Sequence, residues 1–310
     1  YYTRQWLPTG ILVAIMFRVS YGDTSLESQL AALGILEKYQ ENLTKATAYA
    51  KQLCADGMPA FITPRPGDAD MAPMMELASH ISLTFTDLII LGTGGSSLGA
   101  QAALAIARFK NGRSTRIHTP DSLDAYELDS LFRKLVPSNT HVLTISKSGT
   151  TGETLAQLLA CRSWIEAASH PTSMADHFSF ITEPGDRALR TYGETLGSVI
   201  LDHATDIGGR FSVLSNVGML PVAVAGLSVS GFRQGAQSIF QTFCEDPEHN
   251  AAIVGAALIH TLNQTRGVTQ ILTMPYAASM RDFTRCHSLL WSVCVGKDGR
   301  GPTPIRAVRP

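Results

Sequence analysis

The sequence predicts an α/β protein: a doubly wound parallel sheet in three αβα layers, followed by an incomplete second α/β unit. Three observations predict it. From about residue 80 onward, short apolar runs alternate with stretches of helical periodicity. The runs are apolar without interruption, as strands buried on both faces are. Turns rich in glycine and hydroxyl residues follow several of the runs, where ligands bind in sheets of this kind. The 310 residues are 45% hydrophobic and 16% charged, enough for a substantial core and too apolar for a disordered chain. A net charge of −1 leaves no basic excess for nucleic acid. Any bound anion must therefore be held by local chemistry.

Residues 1–30 carry little signal. The apolar run Gly10–Phe17 falls far short of the ~20 residues a membrane span needs. The spacing of Leu33, Ile35, Leu36 and Tyr39 predicts one helix over 31–56. Residues 57–72, rich in Pro, Gly and Asp, read as a loop. Strands are expected at Asp87–Gly92, Thr115–His118, His141–Ser146, Ser179–Thr182, Ser198–Leu201 and Gln270–Met274. Helices are expected between them at Leu98–Phe109, Asp124–Leu135, Glu153–Ala168 and Arg187–Leu196. Right-handed crossovers then wind the sheet in both directions. Small apolar residues fill Leu220–Val229, and a helix-like stretch leads to the strand near 270. The organisation read from this is an N-terminal helical or irregular segment (1–79), a first α/β domain (80–235) and a partial second one (236–310). The five cysteines form no CxxC pair and read as free thiols in a reducing cytoplasm. The nine histidines show no HxxxH spacing, so no metal site is expected. The chain begins with Tyr1, and Ile305–Pro310 reads as a strand cut short; an incomplete chain is expected.

Three turns carry chemistry. After the first strand comes Gly92-Thr93-Gly94-Gly95-Ser96-Ser97-Leu98-Gly99. Its glycines allow close backbone approach to a ligand, and the helix starting near Ser97 points free N–H groups at that space. It lacks the GxxxxGK[ST] pattern, and Leu98 stands where a GxGxxG motif would place its last glycine; the alternative is a structural turn. After the third comes Ser146-Lys147-Ser148-Gly149-Thr150-Thr151-Gly152-Glu153-Thr154. Thr150 and Glu153 fit a capping box. A cap needs one hydroxyl, and this stretch adds Ser146, Ser148, Thr151 and Thr154, which suits the several oxygens of a phosphate at a helix start. The third turn is Asp206-Ile207-Gly208-Gly209-Arg210-Phe211-Ser212. Two glycines aim one guanidinium, which could stabilise an oxyanion; the alternative is a surface ion pair with Asp206.

The three motifs in this order resemble the glucose-6-phosphate isomerase family, over roughly residues 80 to 307. Met274-Pro275-Tyr276, Gly296-Lys297-Asp298-Gly299 and Thr303-Pro304-Ile305-Arg306-Ala307 are similar to its bacterial members. The resemblance implies paired sugar-isomerase (SIS) domains of flavodoxin-like αβα architecture and a cytoplasmic enzyme of glycolysis and gluconeogenesis. It would interconvert glucose 6-phosphate and fructose 6-phosphate without metal, nucleotide or other cofactor. It further implies that Ser146, Ser148, Thr151 and Thr154, with the Lys147 backbone, hold the substrate phosphate. Gly95 and Ser96 would lie against the sugar, and Gly209 and Arg210 would face the reacting carbons.

The sequence departs from the family where proton transfer is performed. The family's base, a Glu three residues before the Gly of the Gly-Lys pair, falls on Val293, and a family Gln falls on Leu289. The ring-opening His and a Lys near the family's C-terminus have no counterpart before Pro310. In the family that His arrives from the partner subunit, so a homodimer is implied. Valine transfers no proton, and loss of a positioned base costs about 10²–10⁴ in rate. The expectation is an isomerase with impaired turnover; the alternative is a non-catalytic SIS-type sugar-phosphate-binding module, and a weaker one an isomerase that also accepts mannose 6-phosphate. Residues 286–295 read as scrambled between matching stretches, as a short frameshift would produce. An open sheet edge in the second unit predicts low solubility or oligomerisation.

Overall fold

A computed structural model of the chain describes residues 25–57, 59–62, 70–105, 115–168, 173–299 and 301–307. Five parallel strands form the main sheet: β1 (Asp87–Leu91), β2 (Arg116–His118), β3 (Thr140–Ile145), β4 (Phe178–Thr182) and β5 (Val199–Asp202), in the order β2-β1-β3-β4-β5. Every residue of β1, β3 and β4 is buried, whereas the edge strands β2 and β5 are partly exposed. This is why the inner strands read as unbroken apolar runs.

Alternate strand residues point to opposite faces, and each face is covered by helices. Leu88, Ile90, Leu143, Ile145 and Ile181 pack against α3 (Met71–Thr84) through Met74, Leu77 and Ile81. On the same face they meet α8 (Asn216–Val224) through Val217 and Leu220. Ile89, Leu91, Val142, Phe178 and Phe180 pack against α6 (Gly152–Glu166) through Leu158, Cys161 and Ile165, and against α7 (Ala188–Leu196) through Leu189. The sheet is therefore doubly wound, as expected. The sequence-expected helices Leu98–Phe109 and Asp124–Leu135 correspond to α4 (Leu98–Leu104) and α5 (Ala125–Phe132); residues 106–109 lie outside the described residues.

Two expectations are corrected. The single helix over 31–56 is two, α1 (Leu26–Ala32) and α2 (Leu36–Ala55), separated at Gly34, whose φ of +66° closes the first. The cysteines are not all free. Cys54, in the last turn of α2, is bonded to Cys244, in the last turn of α9 (Val229–Glu245). The two stand 190 residues apart, beyond the reach of any local spacing rule. Cys161, Cys286 and Cys294 are free thiols, and burial pushes Cys161 up to about 12. The N-terminal helices rest on α10 (Ala251–Arg266): Leu26, Leu30, Ile35 and Tyr39 pack with Val254 and Ala257. There Asn42 donates to Thr261 Oγ1 at 2.9 Å.

A second, two-stranded parallel sheet joins β6 (Gln270–Thr273) to β7 (Thr303–Arg306) through α11 (Arg281–Val295). Leu272 and Ile305 on it are exposed, as is Met274 just beyond β6. Residues 308–310, read as part of the last strand, lie outside the described residues. Among the described residues no helix is long and apolar enough to cross a membrane.

Candidate functional site

The strand order reverses direction between β1 and β3, and in such sheets a crevice opens beyond the carboxyl ends at that point. The three motif turns lie there. Gly92-Thr93 leaves β1 and enters a short 3₁₀ turn, Gly94–Ser96, ahead of α4. Ser146–Thr151 leaves β3 and ends at the N-terminus of α6. The segment after β5 ends in a 3₁₀ turn, Gly209–Leu214. Together they border an open cleft of about 370 Å³. Gly95, Ser96, Lys147, Ser148, Thr151, Gly209 and Arg210 line it.

Glycine is required at 95 by contact. A Cβ there would stand 2.5 Å from the carbonyl carbon and oxygen of Gly209 and 2.6 Å from the Arg210 nitrogen. The first glycine turn and the arginine turn thus touch backbone to backbone. Gly149 takes φ +70°, and a Cβ on it would meet the Arg187 Cβ at 2.9 Å.

Ser146 and Thr154 do not line the cleft. Ser146 is buried behind the loop; its Oγ is 2.9 Å from Thr151 Oγ1 and accepts the Gly149 amide at 3.1 Å. Thr154 is buried in the first turn of α6, and its hydroxyl has no partner among the described residues. The capping box is not formed. The helix cap is Thr151, not Thr150, and the Thr151 hydroxyl bonds Ser146 instead of the helix amides. Thr150 Oγ1 donates to Ser148 Oγ at 3.1 Å. The α6 start is thereby left without a side-chain cap, with its first-turn amides outside the helix ladder.

The Lys147 ammonium is committed elsewhere. It donates to the carbonyls of Thr205 (3.1 Å) and Ile207 (2.9 Å) and stands 3.4 Å from Glu183 Oε1. It ties the β3 loop to the segment that leads to Arg210. The Arg210 guanidinium lies 4.6 Å over the Phe211 ring, and Phe61 stacks on Phe211 at 4.9 Å. Among the described residues no carboxylate lies within ion-pair distance of Arg210, so the pairing with Asp206 is not formed. His203, just after β5, is buried; burial lowers its pKa, and its Nε2 has no partner among the described residues.

Thr93, quoted in the first glycine turn but given no role, also lines the cleft, as do Arg187 and, before it, Glu183, which sequence reasoning passed over. The last two follow β4, and the signal available was their place beyond a strand's carboxyl end. Leu289 and Val293 stand one turn apart on α11. Leu289 Cδ2 reaches within 3.8 Å of the point where a Gly94 Cβ would stand, and Val293 is exposed.

The chain is similar to known proteins. The family model described as phosphoglucose isomerase matches residues 76–289. A glucose-6-phosphate isomerase of Rubrobacter xylanophilus is 33% identical over 229 residues, covering 72% of this chain and 53% of that protein. A probable glucose-6-phosphate isomerase of Methanococcus maripaludis is 31% identical over 294 residues, covering 92% and 65%. The crystal structure of a hypothetical protein from Thermus thermophilus superposes with a TM-score of 0.72 at 26% identity, covering 91% of this chain and 65% of that one. A glucose-6-phosphate isomerase structure from Chlamydia trachomatis shares the fold at 22% identity and a TM-score of 0.65, covering 76% of this chain and 48% of that one. The chain thus spans between about half and two thirds of the length of these relatives.

Proposed function

This chain belongs to the phosphoglucose isomerase family, and from that premise we propose that its cleft binds a hexose 6-phosphate and interconverts glucose 6-phosphate and fructose 6-phosphate. The observation that carries the proposal is the meeting of three loops at one cleft, which brings the hydroxyls of Ser148 and Thr151 together with Arg210, a residue without a carboxylate in ion-pair distance among the described residues. In this reading Ser148 and Thr151, with the amides of the Lys147 loop and the α6 start, take the phosphate. Ser146 holds Thr151 from behind, and Thr154 lies beneath them. Gly95 and Ser96 place backbone against the sugar. Gly209 and Arg210 face C1 and C2, where moving the carbonyl passes through an enediolate whose negative oxygen Arg210 stabilises.

Transfer of the proton between C2 and C1 needs a base, and the family position for it holds Val293. Turnover is therefore slow, by about 10²–10⁴ relative to an enzyme with its base in place. Val293 and Leu289 also support a second reading, a sugar-phosphate-binding module without turnover. To the first reading belong a homodimer, a cytoplasmic place in glycolysis and gluconeogenesis, and the division into units 1–79, 80–235 and 236–310. Incubation with fructose 6-phosphate, with glucose 6-phosphate read by a coupled dehydrogenase, tests it. Slow protein-dependent formation that Arg210→Ala abolishes supports the isomerase. Saturable binding without product supports the second reading, and absence of both refutes the two together.

A further inference from the structure

We propose that Arg187 is a binding residue for the substrate phosphate, exchanging its carboxylate partner Glu183 for the incoming dianion. The proposal rests on the reading that the cleft holds a sugar phosphate. Such an ester carries about −1.5 to −2 charges near pH 7, and the loop after β3 contains one cation, Lys147. That ammonium is already engaged by the carbonyls of Thr205 and Ile207. Beyond its hydroxyls and the α6 amides, the loop thus offers the dianion no uncommitted cation.

Arg187 is placed to supply one. Its Cβ sits on the elbow of the loop, 2.9 Å from where a Cβ on Gly149 would stand. The Leu189 amide, two residues on, donates to the Gly149 carbonyl at 3.1 Å. Arg187 lines the cleft together with Ser148 and Thr151, its side chain is 40% exposed, and its guanidinium donates to Glu183 Oε2 at 2.8 Å. Glu183 keeps Lys147 at 3.4 Å when Arg187 turns away, so the swap strands no carboxylate. Only the Arg187 end of the pair is exposed, at 40% against 12% for Glu183, so the arginine is the partner free to turn, and its rigid fork matches phosphate oxygens two at a time.

Calorimetric titration of the full chain with fructose 6-phosphate, and separately with inorganic phosphate, tests this in a four-member set. Arg187→Gln is expected to weaken both ligands about tenfold, with Arg187→Lys recovering part of the loss. Glu183→Gln is expected to tighten both about threefold by freeing the guanidinium, and this gain must vanish when Arg187→Gln is added. Melting curves confirm that each variant folds. Arg187→Gln binding like the unaltered chain overturns the proposal, and so does a Glu183→Gln gain that persists without Arg187. If the unaltered chain binds neither ligand, the functional reading falls and takes this proposal with it; if it binds while the variants do not differ, this proposal alone falls.

Discussion

Replacing Gly95 by alanine isolates the contact between the glycine turn and the arginine turn. The added methyl would stand 2.5 Å from the Gly209 carbonyl group, about 0.9 Å inside the 3.4 Å at which ordinary contact begins. The obstacle is backbone, so no rotamer relieves it, and the Gly209–Arg210 segment must move by roughly that distance. Gly95 has no positive φ; without the clash, alanine would stabilise the fold by about 0.4–1 kcal/mol through the unfolded chain. Overpacking of this kind costs about 1–3 kcal/mol, so the clash wins. At roughly 2–4 °C per kcal/mol for a chain of this size, the melting temperature should fall by a few degrees. A misplacement of about 1 Å in a reacting group is worth on the order of 10² in rate. Gly209→Ala is the control, because a Cβ there has nothing within 4 Å and its φ is not positive, so its melt should hold or rise slightly. Scanning fluorimetry and the coupled assay read both variants. Equal melts for the two, or unchanged turnover in Gly95→Ala, would refute the reasoning.

Three further outcomes follow from the same structure. Val293→Glu should raise turnover at least tenfold, and Val293→Gln should not; equal rates in the coupled assay would remove the missing-base account. His141 is wholly buried, its Nδ1–H given to the Asp176 carbonyl and its Nε2 accepting from Ser179, and burial pulls its pKa down to about 3. The unfolded chain binds this proton near 6.5 and the folded chain does not, so stability is full above pH 6.5 and is lost as pH falls from there toward 3. The contribution is about 1.4 kcal/mol per unit, or about 2 kcal/mol at pH 5. Urea midpoints at pH 5 and 7 should show a slope that His141→Asn reduces; an identical slope in the variant contradicts it. Reducing the Cys54–Cys244 bond, which closes a loop of 190 residues, should cost up to about 5 kcal/mol. A urea midpoint unmoved by dithiothreitol would contradict that.

The parts of the site that were legible in the sequence are those built from local chain. The runs Asp87–Leu91 and Thr140–Ile145 are buried on both faces, so their composition alone marks them as inner strands, and the turn residues that follow stand next in sequence. The arginine turn was legible from its own residues, Gly208-Gly209-Arg210, although β5 before it is a partly exposed edge strand. What stayed hidden depends on distant chain. Phe61 meets Phe211, and Cys54 meets Cys244, across separations that no periodicity reports. Thr150 and Thr151 can each cap a helix, and only the Ser146 hydroxyl decides between them. Glu183 and Arg187 follow β4 in a stretch of ordinary turn residues, Thr182-Glu183-Pro184-Gly185. Their significance comes from the Gly149 elbow packed beside them.

The central claim is that the cleft holds a hexose 6-phosphate through the loop after β3. Phosphorus-31 NMR of fructose 6-phosphate titrated with the chain tests it most directly. The account predicts a phosphate resonance that shifts or broadens and saturates, with a glucose 6-phosphate line growing slowly beside it, and a Ser148→Ala, Thr151→Val double variant that abolishes both. A resonance that neither moves nor broadens at stoichiometric protein, or one that behaves identically with the double variant, would contradict it.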